Sequence, residues 1–172
     1  NFKKLIENKK ICEIKNMTKS YNNLIPNEFN TLESLDIKSG YWVKVTEDCD
    51  IEINGKCIKN KVLINLNKGW NLIGYPYFIN LHLDKLIKQK DIVEIKNSTS
   101  SYNSSLPNEL NTLKYLETNC GYWINVKDNF ILELDYPFEY NKVQNNKING
   151  FISYDDIDVN DKYLWNFNYY YV

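Results

Sequence analysis

The chain has 172 residues, of which 43% are hydrophobic and 15% aromatic, enough apolar material to exclude global disorder. Its formal net charge of -1 gives no electrostatic pull towards nucleic acid, and apolar runs such as Val62-Leu63-Ile64 are far too short for membrane insertion as a spanning helix. Ala and Arg are both absent while Asn, Lys, Ile and Tyr abound, a bias expected of an AT-rich genome; without Arg the chain lacks the best bidentate phosphate ligand.

Taken in chain order, Phe2-Lys3-Lys4-Leu5-Ile6-Glu7 has no apolar stretch of the secretory-leader kind. Ile11 to Asn16 reads as a strand, and Asn54-Gly55 is the preferred pair for a two-residue hairpin turn, which would set Ile51 opposite Ile58 and Asp50 opposite Lys59. Leu83, Leu86 and Ile87 share one face of a short helix whose first turn holds Asp84. Residues 92–96, 122–126 and 131–134 read as strands, and the polar, turn-rich stretch 98–111 reads as a loop. Asn149-Gly150 repeats the hairpin signal, and Trp165 to Val172 alternates as a strand would.

Much of this recurs at an offset of 81 residues. Ile11-Cys12-Glu13-Ile14-Lys15-Asn16 aligns with Ile92-Val93-Glu94-Ile95-Lys96-Asn97, and Ser20-Tyr21-Asn22 with Ser101-Tyr102-Asn103. Pro26-Asn27-Glu28, Asn30-Thr31-Leu32 and Gly40-Tyr41-Trp42 recur as Pro107-Asn108-Glu109, Asn111-Thr112-Leu113 and Gly121-Tyr122-Trp123. Roughly half of the positions from Ile11 to Ile53 are identical at this offset, which marks an architectural repeat. The block Gly69-Trp70-Asn71-Leu72-Ile73-Gly74-Tyr75-Pro76 has no counterpart ahead of Asn1, so the first copy is expected to lack its opening strand and the chain to derive from a longer parent.

These blocks, with Gly121-Tyr122-Trp123-Ile124-Asn125-Val126, resemble a small β-rich module found repeatedly in multidomain bacterial, archaeal and large-virus surface proteins. The resemblance implies extracellular or particle-surface architecture and no defined activity.

The expected fold is mainly β, α+β at most: two similar small modules in tandem, each with one short helix, at residues 1–58 and 59–135, followed by a C-terminal β extension at 136–172. Trp42, Trp70 and Trp123 are expected to anchor the cores, because each sits in a strand followed by apolar residues. Tyr41 and Tyr122 would then face the wet side, and with Tyr21 and Tyr102 would form the binding surface, if there is one.

Chemistry-bearing motifs are weak. His82 is the sole histidine and no acid or nucleophile is marked as its partner. Cys12, Cys49, Cys57 and Cys120 lack metal-ligand spacing, and the hairpin would put Cys49 and Cys57 on opposite faces. Asp156 to Asn160 begins like a calcium loop, but Asp161 and Phe167 stand where that loop needs Gly and Glu. The leucine spacing at 106–116 recurs after 81 residues, too long a period for a leucine-rich repeat. Asn16-Met17-Thr18, Asn97-Ser98-Thr99 and Asn103-Ser104-Ser105 are glycosylation sequons, common by chance in an Asn-rich chain. The expectation is therefore a non-enzymatic structural or protein-interaction module needing no cofactor or metal, its partners other subunits or further copies of itself. A carbohydrate-binding adhesion module, with glycans as partners, is the alternative.

Overall fold

The computed structural model describes residues 2–7, 10–52, 58–89 and 91–137, together with the backbone of 164–165. It is mainly β, with two short helices and several small sheets. The first copy contains α1 (Phe2–Ile6), β1 (Ile11–Lys15), β2 (Ser20–Asn22), β3 (Trp42–Val45) and β4 (Ile51–Glu52). The second contains β5 (Val62–Leu66), β6 (Gly69–Gly74), β7 (Leu81–His82), α2 (Asp84–Ile87), β8 (Ile92–Lys96), β9 (Ser101–Asn103), β10 (Tyr115–Leu116), β11 (Gly121–Val126) and β12 (Phe130–Leu134). A further pair of residues, β13 (Leu164–Trp165), lies antiparallel to β4.

Hydrophobic parity decides which face of each sheet is buried. In β5 the pattern runs buried, exposed, buried, exposed, buried, so Val62, Ile64 and Leu66 turn to the core. β11 sits centrally, antiparallel to β6 on one edge and to β8 on the other, in the order β6-β11-β8-β9. Among the described residues the first copy shows the order β2-β1-β3. The same irregularity recurs at the same place, where β1 slips against β3 between Ile11 and Glu13 and β8 slips against β11 near Val126.

Two cores result. The first gathers Leu5, Ile11, Ile14, Tyr21, Leu32 and Ile51. The second has eighteen buried members, eight of them from Val62 to Leu83, a stretch with no counterpart around the first core among the described residues except at Phe2.

Two expectations need correction. The stretch 98–111 is not a plain loop: it holds β9 and a 3-10 turn at Asn108–Leu110, matched by a turn at Asn27–Phe29. Side-chain hydrogen bonds between asparagines order it, a feature that hydropathy does not register. Ile51 pairs with Trp165, not Ile58, and Ile51 and Ile58 pack against different cores. The Asn54-Gly55 and Asn149-Gly150 turns, Cys57 and the Asp156–Asn160 stretch lie outside the described residues, as does most of Trp165 to Val172.

Candidate interaction surface

The three tryptophans expected in the cores lie on the opposite face of the sheets. In β11 the core side is taken by Tyr122, Ile124 and Val126, which are 0%, 0% and 2% exposed, so Trp123 between them must point outward. Trp42 and Trp123 are half-buried, and Trp70 is exposed at 37%. The reason is a polar atom. The Tyr122 hydroxyl accepts the Glu117 amide N–H at 2.7 Å, so a buried tyrosine is satisfied by the turn preceding its own strand. Tyr41 repeats the arrangement, accepting the Asp36 N–H at 2.8 Å.

The tyrosines expected to form a wet binding surface are accordingly spent on packing. Tyr21 is buried, opposite Ile14, with its ring edge-on to Phe2 at 5.8 Å. Tyr102 is half-buried opposite Ile95 and packs against the second core, as Tyr41 packs against the first. Burial raises the pKa of Tyr122 and of Tyr75 above the ordinary tyrosine value, because a phenolate there would lose its water.

On the outer face the tryptophans meet one another across the two copies. Trp42 lies 5.2 Å from Trp123, tilted, and Trp70 stands edge-on to Trp123 at 6.2 Å. Lys96 Nζ sits 4.2 Å from the Trp70 ring centroid and Lys15 Nζ 5.9 Å from that of Trp42. Each lysine also approaches a glutamate on its own strand, Glu13 or Glu94, at 3.8 Å. The stripe is therefore aromatic and nearly charge-balanced, with part of its ring surface already covered. The lysines were missed in the sequence because their contact with tryptophan depends on strand register.

Beside the stripe the copies are joined backbone to backbone. Gly74 N–H donates to Lys38 O at 3.1 Å, and Ser39 bridges Ile73. A Cβ on Gly74 would stand 2.6 Å from Ser39 O, and one on Gly40 would stand 2.7 Å from Ile73 O. Met17, at the tip of the β1–β2 turn, brings its sulfur 3.1 Å from Leu72 N. The Gly-Trp-Asn block is also explained locally. Gly69 has φ +91, Trp70 turns outward, and buried Asn71 turns inward to bond Asn67 N and O at 2.9 and 2.7 Å, closing the β5–β6 turn.

The Ser-Tyr-Asn segments are scaffold in both copies. Asn30 Oδ1 accepts Asn22 N–H at 2.7 Å, and Asn111 Oδ1 accepts Asn103 N–H at 2.7 Å. Thr31 and Thr112 hydroxyls accept the Ser20 and Ser101 amides, each at 3.0 Å. In the sequons, Asn16 Oδ1 accepts Thr18 and Lys19 amides, and Asn97 Oδ1 accepts those of Thr99 and Ser100.

Elsewhere the chemistry is sparse. His82 lies edge-on to Tyr115 and 3.3 Å from Asp84, all on the surface. Among the described residues no three His, Cys, Asp or Glu side chains cluster as metal ligands, and Cys12, Cys49 and Cys120 are each half-buried. A cavity of about 220 Å³ is lined by Leu81, Leu86, Gln89, Glu133, Asp135 and Tyr136. At its acidic side Lys61 contacts Glu133 and Asp135 at 2.8 and 3.2 Å, and these hydrogen bonds raise the lysine pKa. No helix among the described residues is long and apolar enough to cross a membrane. Comparison with protein-family models, with curated proteins and with solved structures gave no match.

Proposed function

We propose that the chain is a non-enzymatic structural and protein-interaction repeat of a larger surface or virion protein. The observation that carries this reading is the junction. Two copies meet through glycine backbones that tolerate no added methyl group, and tryptophans bridge the same seam. Such a joint fixes the relative setting of successive copies, which a spacer or an array component requires and a solitary catalyst does not. The Gly-Trp-Asn and Gly-Tyr-Trp resemblance supports the surface setting. The test is the mass and fractionation of the native polypeptide in its source. A product much larger than 20.5 kDa in the particle or surface fraction is expected. A soluble product of about that mass overturns the proposal.

The outward tryptophans favour a second reading, a carbohydrate-binding module in which Trp70 stacks on a sugar ring. Lys96 over the Trp70 ring and the tilted Trp42–Trp123 pair count against it, since sugar stacking needs an open, flat ring face. Tryptophan fluorescence titrated with a glycan panel separates the two. No shift with any glycan supports the structural reading, and a saturable blue shift abolished by Trp70→Ala supports the lectin reading.

A further inference from the structure

The two Gly-Tyr-Trp strands differ in what lies along one edge. β11 is paired on both sides, with β6 set against it from Gly121↔Gly74 to Val126↔Gly69. Its copy, β3, is paired, among the described residues, with β1 alone. Backbone polar groups alternate along a strand, and Thr46 N–H, like its counterpart Lys127, donates towards the β1 or β8 side. The peptide groups of Tyr41, Val43 and Val45 therefore point to the other edge, where the counterparts Tyr122, Ile124 and Val126 meet β6. Among the described residues no backbone partner stands there.

The β6 strand does not fill this place. It reaches the first copy through Lys38 and Gly40, whose backbone groups point the opposite way, next to the Met17 turn. Burial differs between the two strands on the core side too. Tyr41, Val43 and Val45 are half-buried, whereas Tyr122, Ile124 and Val126 are at most 2% exposed.

We infer that the edge of β3 opposite β1 is an acceptor site for one more strand, of the Gly-Trp-Asn-Leu-Ile-Gly type, donated by a further copy of this repeat. Three features specify the occupant. The acceptor residues Gly40-Tyr41-Trp42 are identical to Gly121-Tyr122-Trp123, which hold such a strand in the second copy. The donor's inward Asn and Ile would cover Val43 and Tyr41, as Asn71 and Ile73 cover Ile124 and Tyr122. The edge continues an existing sheet, so added backbone hydrogen bonds extend a preformed ladder. The inference rests on the repeat reading of the Proposed function and names the contact by which copies would join.

The experiment uses the full 172-residue chain and a fluorescein-labelled synthetic peptide spanning Leu66 to Tyr75. Saturable binding in fluorescence anisotropy is expected, together with slowed amide exchange at Tyr41, Val43 and Val45. Methylating the peptide nitrogens at Asn71 and Ile73, two donors on the pairing edge, is expected to weaken binding by about tenfold or more. The variant Val43→Pro, which removes one acceptor-side N–H, should lose binding likewise. If Val43→Pro fails to fold, the methylated peptide decides the question on the unaltered protein. Equal binding of both peptides, no binding, or Tyr41, Val43 and Val45 amides already protected in the free chain would each overturn the inference. A large particle-associated product in the mass test combined with any of these outcomes would refute the edge while leaving the structural role intact.

Discussion

The first and second copies bury the same residues to different depths. Each of the six buried members of the first core has its counterpart 81 residues on in the second: Leu86, Ile92, Ile95, Tyr102, Leu113 and Leu132. Around the second core the described residues include the stretch from β5 to β7, which helps to cover Tyr122, Ile124 and Val126. The lesson is that the repeated residues specify strands and parity, while depth of burial comes from a neighbour that sequence identity does not carry. Val43 and Ile124 occupy equivalent positions on equivalent strands, yet only one of them is sealed from water.

Truncation of that pair gives the largest expected contrast. Ile124→Ala should cost about 2–5 kcal/mol by leaving a cavity in a closed core, whereas Val43→Ala should cost only about 1 kcal/mol. Chemical denaturation of both variants measures it, and equal losses would mean that β3 is covered in solution. The glycines give the next contrast. Gly74→Ala forces a methyl group onto the Ser39 carbonyl and should cost about 1–3 kcal/mol. A Cβ on Gly121 would meet nothing closer than 3.6 Å, so Gly121→Ala should change stability by no more than about 1 kcal/mol. Two similar values would show that the junction loosens in solution. The tryptophan seam is smaller still: a double-mutant cycle of Trp42→Ala and Trp123→Ala should return a coupling of about 0.5–1.5 kcal/mol. A coupling of zero would separate the copies energetically despite the 5.2 Å approach.

Alkaline titration sharpens the same comparison from the second copy's side. The pKa values of Tyr75 and Tyr122 are raised in the folded protein by burial, so the folded state holds their protons more tightly than the unfolded chain does. The stability they contribute is complete below the unfolded value of about 10 and is lost as pH rises above it. Phenolate absorbance from these two residues should therefore appear together with unfolding. Its appearance in a still-folded protein would show that water reaches the second core.

Much of the strand layout was legible in the sequence, because β8, β11 and β12 carry alternation or apolar runs bounded by turn residues. The face of Trp42 and Trp123 was not. An apolar residue followed by another apolar residue leaves parity undecided, and the choice fell to a hydroxyl: Tyr122 finds the Glu117 N–H inside the fold. The junction was equally hidden. Gly40 and Gly74 were visible as repeated glycines, but nothing in either block says that they meet each other.

The asparagine network has a consequence for how the sequence can drift. Side-chain amides at Asn16, Asn22, Asn30, Asn71, Asn97, Asn103 and Asn111 act as spare peptide units, completing turns that the main chain cannot close alone. An asparagine-rich composition thus supplies raw material for turn closure. Substitution at these seven positions should be far more restricted than at Asn27 or Asn108, whose side chains are exposed and take no part in that network. In such a lineage, constraint would be read from which asparagines stay put while the surrounding ones are exchanged.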